Sequence, residues 1–309
     1  MRRLAFALLT SAVLAVTAPA AAAASPATAV VAVNDTGINP YHSAFADDSP
    51  RAFRHPSTYL PGFPRGAEAL RLTLDEPNYW DALDRDCERV WAKVEPGRLY
   101  WVPGTRIAGA ISFTPTAEID CSDPQPSDAR ILDTAGHGTM TASRAAGKVT
   151  GACPACLVVA VEGWGEDFRE GVDWITSNAG WIDVQSHSWG LTRPFLEPTG
   201  TVSATPEFAR SMEKAAATHP FFRASGNAAL LAGQPIHADP QYTPSTIVVG
   251  AHDSGSATLW HGFTPQVVAD GCGAPAAVSG STSEIDAAGA SGTSSATPWA
   301  AGTAARLVL

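Results

Sequence analysis

The sequence predicts an α/β fold with a mostly parallel central sheet and helices on both of its faces. Three observations lead there. Short, continuous apolar runs rich in β-branched residues recur along the chain, as in strands buried on both faces. Segments with helical periodicity lie between them. The two kinds alternate, the pattern of parallel strands joined by crossover helices.

The first residues stand outside this pattern. Arg2 and Arg3 form a basic start, residues 4–16 are almost wholly apolar, and Ala22-Ala23-Ala24 satisfies the A-x-A cleavage rule. Residues 1–24 read as a secretory signal peptide. The apolar run is shorter than the ~20 residues a membrane span needs. The expected mature chain, residues 25–309, is secreted and extracellular, with no membrane attachment after cleavage.

The first strand, residues 29–33, runs into Asn34-Asp35-Thr36-Gly37. Residues 157–161, 181–186, 220–224 and 246–250 read as further strands, and the run at 220–224 ends at Ser225-Gly226-Asn227. Helices are expected over 138–147, which is small and Ala-rich, and around Phe168, Val172, Trp174 and Ile175. Two more are expected over 206–218, with proline at its start, and over 294–307. In the last, Pro298 is placed in the first turn, where proline is tolerated. Residues from about 46 to 127 do not follow the alternation. Rich in proline, aromatics and charge, this stretch reads as a large insertion within the one domain of residues 25–309.

Without Arg2 and Arg3, 18 Lys and Arg face 30 Asp and Glu, a formal charge of −12. Such a surface repels phosphate backbones, so no nucleic-acid partner is expected. The five cysteines are Cys87, Cys121, Cys153, Cys156 and Cys272. In an oxidising compartment, disulfides are expected. Cys153-Pro154-Ala155-Cys156 lacks the second ligand pair of a zinc site and a thioredoxin-like context. A local bridge is the plainer reading. Cys87 with Cys121 is then the natural second bridge, leaving Cys272.

Four short motifs carry chemistry. Ser294 lies in Ser291-Gly292-Thr293-Ser294-Ser295-Ala296-Thr297-Pro298, at the start of a helix, whose N–H groups and dipole favour a developing negative charge. His137 lies between two glycines, in Gly136-His137-Gly138-Thr139. Asp35 ends the first strand, at the sheet edge where α/β proteins place their sites. Asn227 follows another strand and offers an amide donor. Each has a plainer alternative: a Ser-rich cap, a structural histidine, a turn aspartate, a left-handed turn asparagine.

In this order the four motifs resemble those of the subtilase family of serine peptidases. The family pattern is Asp-Thr/Ser-Gly, Gly-His-Gly-Thr, Gly-Asn and Gly-Thr-Ser-x-Ala-Thr-Pro, matched here by Asp35-Thr36-Gly37, Gly136–Thr139, Gly226-Asn227 and Gly292–Pro298. The resemblance implies a subtilisin-like three-layer fold and a serine endopeptidase acting on proteins or peptides through an acyl-enzyme. It implies a catalytic triad of Asp35, His137 and Ser294, and an oxyanion hole made by Asn227 and the Ser294 N–H. Ser188-Trp189-Gly190 resembles the strand that pairs with substrate, and Gly163-Trp164-Gly165 the facing edge of the cleft. Trp189, where a smaller apolar residue is usual, then narrows or shields a subsite, unless either tryptophan is simply core. The chemistry needs no cofactor. Structural calcium is common in the family, but no ligand cluster or other metal site can be assigned.

Several features depart from the family. Only residues 25–34 lie between the cleavage site and Asp35, where a folding-assisting propeptide is usual, so a folding or activating partner is an open expectation. Asp35 and His137 are 102 residues apart, longer than in compact members. Only fifteen residues follow Ser294, and Met140 replaces a common second histidine. The acid-acting sedolisins share the serine loop but lack the Gly-His-Gly-Thr histidine. The alternative from another class is a non-catalytic subtilase-like extracellular binding protein.

Overall fold

The computed structural model describes residues 28–115, 119–123, 129–163, 167–189, 206–227, 245–253, 256–260 and 265–309. In chain order the strands are β1 (Val30–Asp35), β2 (Glu68–Ala69), β3 (Tyr100–Trp101), β4 (Ile107–Ser112), β5 (Leu157–Glu162), β6 (Val184–His187), β7 (Phe221–Ala224), β8 (Ile247–Asp253), β9 (Ser256–Trp260), β10 (Val267–Asp270), β11 (Ala274–Ala277) and β12 (Ile285–Ala290). The α-helices are α1 (Tyr79–Cys87), α2 (His137–Ala146), α3 (Asp167–Ser177), α4 (Pro206–Thr218) and α5 (Thr293–Ala305). Among the described residues no helix is long and apolar enough to cross a membrane.

The central sheet runs β10-β8-β7-β6-β1-β5-β4-β3-β2, with β9 antiparallel to β8 and β11-β12 forming a separate pair. From β4 to β10 the pairings along this order are parallel. β1 lies in the middle, bonded on one side to β5 and on the other to β6. Its six residues are all buried. Val31 and Val33 pack on one face of the sheet with Ala142, Ala145 and Ala296, from α2 and α5. Val30 and Ala32 pack on the other with Ile175 and Trp181. A strand covered on both faces needs an unbroken apolar run, and the sequence supplies one.

The helices follow from equally local causes. The small residues of α2 let it lie close to α5. A Cβ at Gly302 of α5 would stand 2.3 Å from the Ala145 carbonyl of α2. Pro298 is the sixth residue of α5 and not part of its first turn, which corrects the sequence expectation. Its missing N–H leaves the carbonyl of Ser294, four residues earlier, without a helical partner.

Part of the stretch read as an insertion belongs to the central sheet. Ile107–Ser112 is a fully buried strand of the central sheet, paired in parallel with β5, and β3 and β2 extend the sheet beyond it. Its sequence, Ile-Ala-Gly-Ala-Ile-Ser, lacks the β-branched run that marks the other core strands. Gly109 is favoured there by crowding: a Cβ would meet Leu99 and Val159 side chains at 3.2 and 3.3 Å, and they would have to give way slightly. The rest of the stretch packs on the core through Tyr41, whose Oη donates to Asp86 of α1 at 2.9 Å and accepts from Trp91 Nε1 at 2.8 Å. Disulfides join Cys87 to Cys121 and Cys153 to Cys156, and Cys272 is in neither bridge.

Candidate active site

Strand order reverses at β1: β5 and β4 follow on one side, β6, β7 and β8 on the other. In an open α/β sheet the crevice at the carboxyl end of such a strand is where ligands bind. Asp35 is the last residue of β1 and is 2% exposed.

Gly37 and Gly138 bring the next group to it. A Cβ at Gly138 would stand 2.1 Å from the Gly37 carbonyl, so only glycine lets the first turn of α2 press onto the turn after β1. His137, the first residue of α2, thereby reaches Asp35: its Nδ1 lies 2.6 Å from Asp35 Oδ1. The Thr36 N–H also donates to that oxygen at 2.8 Å, and Thr141 Oγ1 donates to Oδ2 at 3.2 Å. With Asp35 ionised, Nδ1 carries the imidazole proton and Nε2 is left as a base. Burial would lower the His137 pKa. The charge and hydrogen bond of Asp35, with the charge of Asp133 behind them, outweigh burial and hold it above the ordinary histidine value.

Ser294 stands over the neighbouring strands. Gly292, at φ +90°, turns the chain into α5 and places Ser294 second in the helix. Ser188 directly follows β6 and Asn227 closes the turn after β7. Because β1, β6 and β7 are parallel neighbours, their carboxyl ends share one sheet edge. The Ser294 hydroxyl donates to the Ser188 carbonyl at 2.9 Å, not to His137. The Ser188 hydroxyl donates to the Ser294 carbonyl, also at 2.9 Å, and so supplies the bond that Pro298 cannot. Asn227 Oδ1 accepts from the N–H and the Oγ1 of Thr293, at 2.9 and 3.0 Å. That use fixes the amide orientation and turns Nδ2 toward Gly292, where an added Cβ would stand 3.0 Å from it.

The structure thus joins Asp35 directly to His137, Ser294 to Ser188, and Asn227 to the residue before Ser294, all at one edge of the sheet. Trp189 does not line a subsite. Its indole is buried in a cluster with Val172, Phe208 and Met212, stacked on Phe168 at 4.8 Å, and its Nε1 donates to the Asn34 carbonyl at 2.9 Å. An indole has a large apolar face and one donor, and this core position satisfies both. Gly163 is buried at the end of β5, its N–H donating to the Asp35 carbonyl at 3.0 Å. Trp164, Gly165, Gly190 and the segment of residues 1–27 that holds the expected signal peptide lie outside the described residues. Among the described residues no group of three or more His, Cys, Asp or Glu side chains is placed to hold a metal ion.

Sequence reasoning missed two carboxylates near this edge. Asp133 is buried and hydrogen-bonded to both segments that carry the Asp35–His137 pair. Its one sequence signal is an acidic residue just ahead of a helix whose N-cap, Gly136, has no side chain to cap with. Glu162 ends β5 directly beside Asp35 and accepts from Ile131 N–H at 2.5 Å.

Comparison with known proteins agrees with this fold. The family model described as the subtilase family matches residues 27–308. A cold-adapted subtilisin-like serine proteinase superposes with a TM-score of 0.50 at 20% identity, covering 91% of this chain and 76% of its own. A psychrophilic protease superposes with a TM-score of 0.52 at 16% identity, covering 91% and 77%. At these identities the likeness is one of fold. A comparison with curated proteins finds no match.

Proposed function

The chain belongs to the subtilase family of serine peptidases, and from that premise we propose that it is a secreted endopeptidase in which Ser294, His137 and Asp35 act together on peptide bonds. The observation that carries this reading is the 2.6 Å Asp35–His137 pair, on the sheet edge that also holds Ser294.

In this reading the Ser294 side chain rotates from the Ser188 carbonyl to His137. Its Oγ attacks the substrate carbonyl while His137 Nε2 takes the hydroxyl proton. Asp35 keeps Nδ1 protonated and stabilises the imidazolium. The carbonyl oxygen becomes an oxyanion held by Asn227 Nδ2 and the Ser294 N–H, with the N-terminus of α5 behind it. His137 then returns the proton to the leaving amine as the C–N bond breaks. Water, deprotonated by the same imidazole, releases the acyl group and restores Ser294. The peptidase domain takes residues 25–309, after loss of residues 1–24 on export. The two disulfides support an oxidising compartment.

The test is labelling of the purified chain from Ser25 with a fluorophosphonate probe, beside Ser294→Ala. Labelling of the parent alone is expected. A folded parent that takes no label overturns the reading and favours a binding protein built on the same fold.

A further inference from the structure

Asp133 is neither a member of the proposed triad nor an oxyanion donor, yet it joins the two segments that hold Asp35 and His137. Its side chain is 2% exposed. Oδ1 accepts from Thr36 Oγ1 and from Gly136 N–H, each at 2.8 Å. Oδ2 accepts from Thr139 N–H at 2.6 Å. The Thr36 hydroxyl, held as a donor by Asp133, accepts in turn from Gly138 N–H at 2.9 Å. Thr36 also gives its own N–H to Asp35. The residues on both sides of His137 are therefore tied through their N–H groups, directly or through one hydroxyl, to a single carboxylate, which also holds the residue after Asp35.

Helix chemistry explains why a carboxylate is needed. The first N–H groups of α2 have no partner within the helix, and its glycine N-cap offers none. Asp133 supplies the cap from outside. Donors face both of its oxygens, which suits an ionised carboxylate. An asparagine would turn an NH2 toward one of those donors. Burial, with the nearby Asp35 charge, holds the Asp133 carboxyl above the ordinary carboxylate range, and hydrogen bonds from Thr139 and Thr36 pull it only part of the way back.

We propose that Asp133 is a positioning residue. By clamping Thr36 and the first turn of α2 it sets the Asp35–His137 contact and places a second negative charge behind the imidazole. As a role in catalysis this rests on the endopeptidase reading; as a clamp on His137 it does not. The charged groups acting on His137 are Asp35 and Asp133. Those coupled to Asp133 are Asp35, Glu162 and Tyr79.

Three variants and two readouts test it. The first readout is the NMR titration of His137 in the Ser294→Ala chain, which needs no turnover. The second is kcat/KM against pH. Asp133→Asn is expected to lower the His137 pKa, move the acid limb of kcat/KM to lower pH, and cut the rate at its plateau roughly tenfold to a hundredfold, as misplacement of a catalytic group does. Thr36→Val removes the linking hydroxyl but no charge. It should lose rate with the limb little moved, and Thr36→Ser should recover that rate. A folded Asp133→Asn with the parent's titration and rate, changed only in melting temperature, overturns the proposal. Should Asp133→Asn not fold, the Thr36 pair decides: equal rates in Thr36→Val and parent overturn it. A parent that hydrolyses nothing sinks the endopeptidase reading alone, since the titration still reports on the clamp.

Discussion

Ser188 and Ser294 exchange two hydrogen bonds, each hydroxyl donating to the other's carbonyl at 2.9 Å. One has a helical cause: Pro298 has no N–H to give the Ser294 carbonyl, and Ser188 Oγ takes its place. The other parks the Ser294 hydroxyl away from His137.

Removing the Ser188 hydroxyl should therefore cost stability. Ser188→Ala strands the Ser294 carbonyl in a part-buried site, at a cost of about 1–3 kcal/mol. In a Pro298→Ala background the helix supplies its own N–H, and the same substitution should cost less. Urea denaturation of the four chains measures the coupling. Equal costs in both backgrounds would contradict the link between Pro298 and Ser188.

Catalysis should need neutral His137. Its pKa is raised because the Asp35 charge and hydrogen bond, with Asp133, outweigh burial. Raising the pKa keeps the imidazole protonated to higher pH, so kcat/KM should climb through a limb above the usual histidine value of about 6.5. A pH–rate profile peaking near pH 4 would point instead to carboxylate chemistry.

If Asn227 holds the oxyanion as proposed, Asn227→Ala should lower kcat by about 10²–10³-fold with KM little changed, the range known for removing an oxyanion-hole asparagine in subtilisin. Asn227 is exposed, so the variant should melt close to the parent. Steady-state kinetics beside a melting curve separates the two effects. A loss confined to KM would mean the amide binds ground-state substrate.

Glu162 should make the fold less stable as pH rises. Burial pushes its carboxyl up to about 7, against hydrogen bonds from Ser112 and Ile131. The unfolded chain gives up that proton near pH 4.5, whereas the folded chain holds it to about 7. Stability from this group is full below the first value and is lost as pH rises through the second. Glu162→Gln should match the parent at pH 4 and exceed it at pH 9, by up to about 3 kcal/mol. Denaturation at the two pH values is the check.

The core strands were legible where burial on both faces demanded β-branched runs, as at residues 30–33 and 157–161. The strand at Ile107–Ser112 was not, because close packing against Leu99 and Val159 selected alanine and glycine there, residues that mark no strand by themselves. The meeting of Asp35 with His137, and of Asn227 with the residue before Ser294, was legible because each lies in a short motif with its own backbone requirements. Asp133 was nearly hidden: its partners lie on two segments about 100 residues apart, and its one local signal, a position just ahead of a glycine-capped helix, does not reveal the link to Thr36. Trp189 stayed open between a subsite and the core for a related reason, since the Ser-His-Ser-Trp-Gly pattern does not say where the indole turns.

The order of the elements along the chain has a cost and a benefit for the cell that makes it. Asp35 ends the first strand of the sheet, whereas Ser294 rides on α5, the last helix, which packs on α2 and on β1, β6, β7, β8 and β10. During synthesis Asp35 and His137 emerge long before Ser294 does. If the three act together as proposed, a half-made or half-folded chain is a blunt instrument, unable to cut itself or its neighbours until α5 docks.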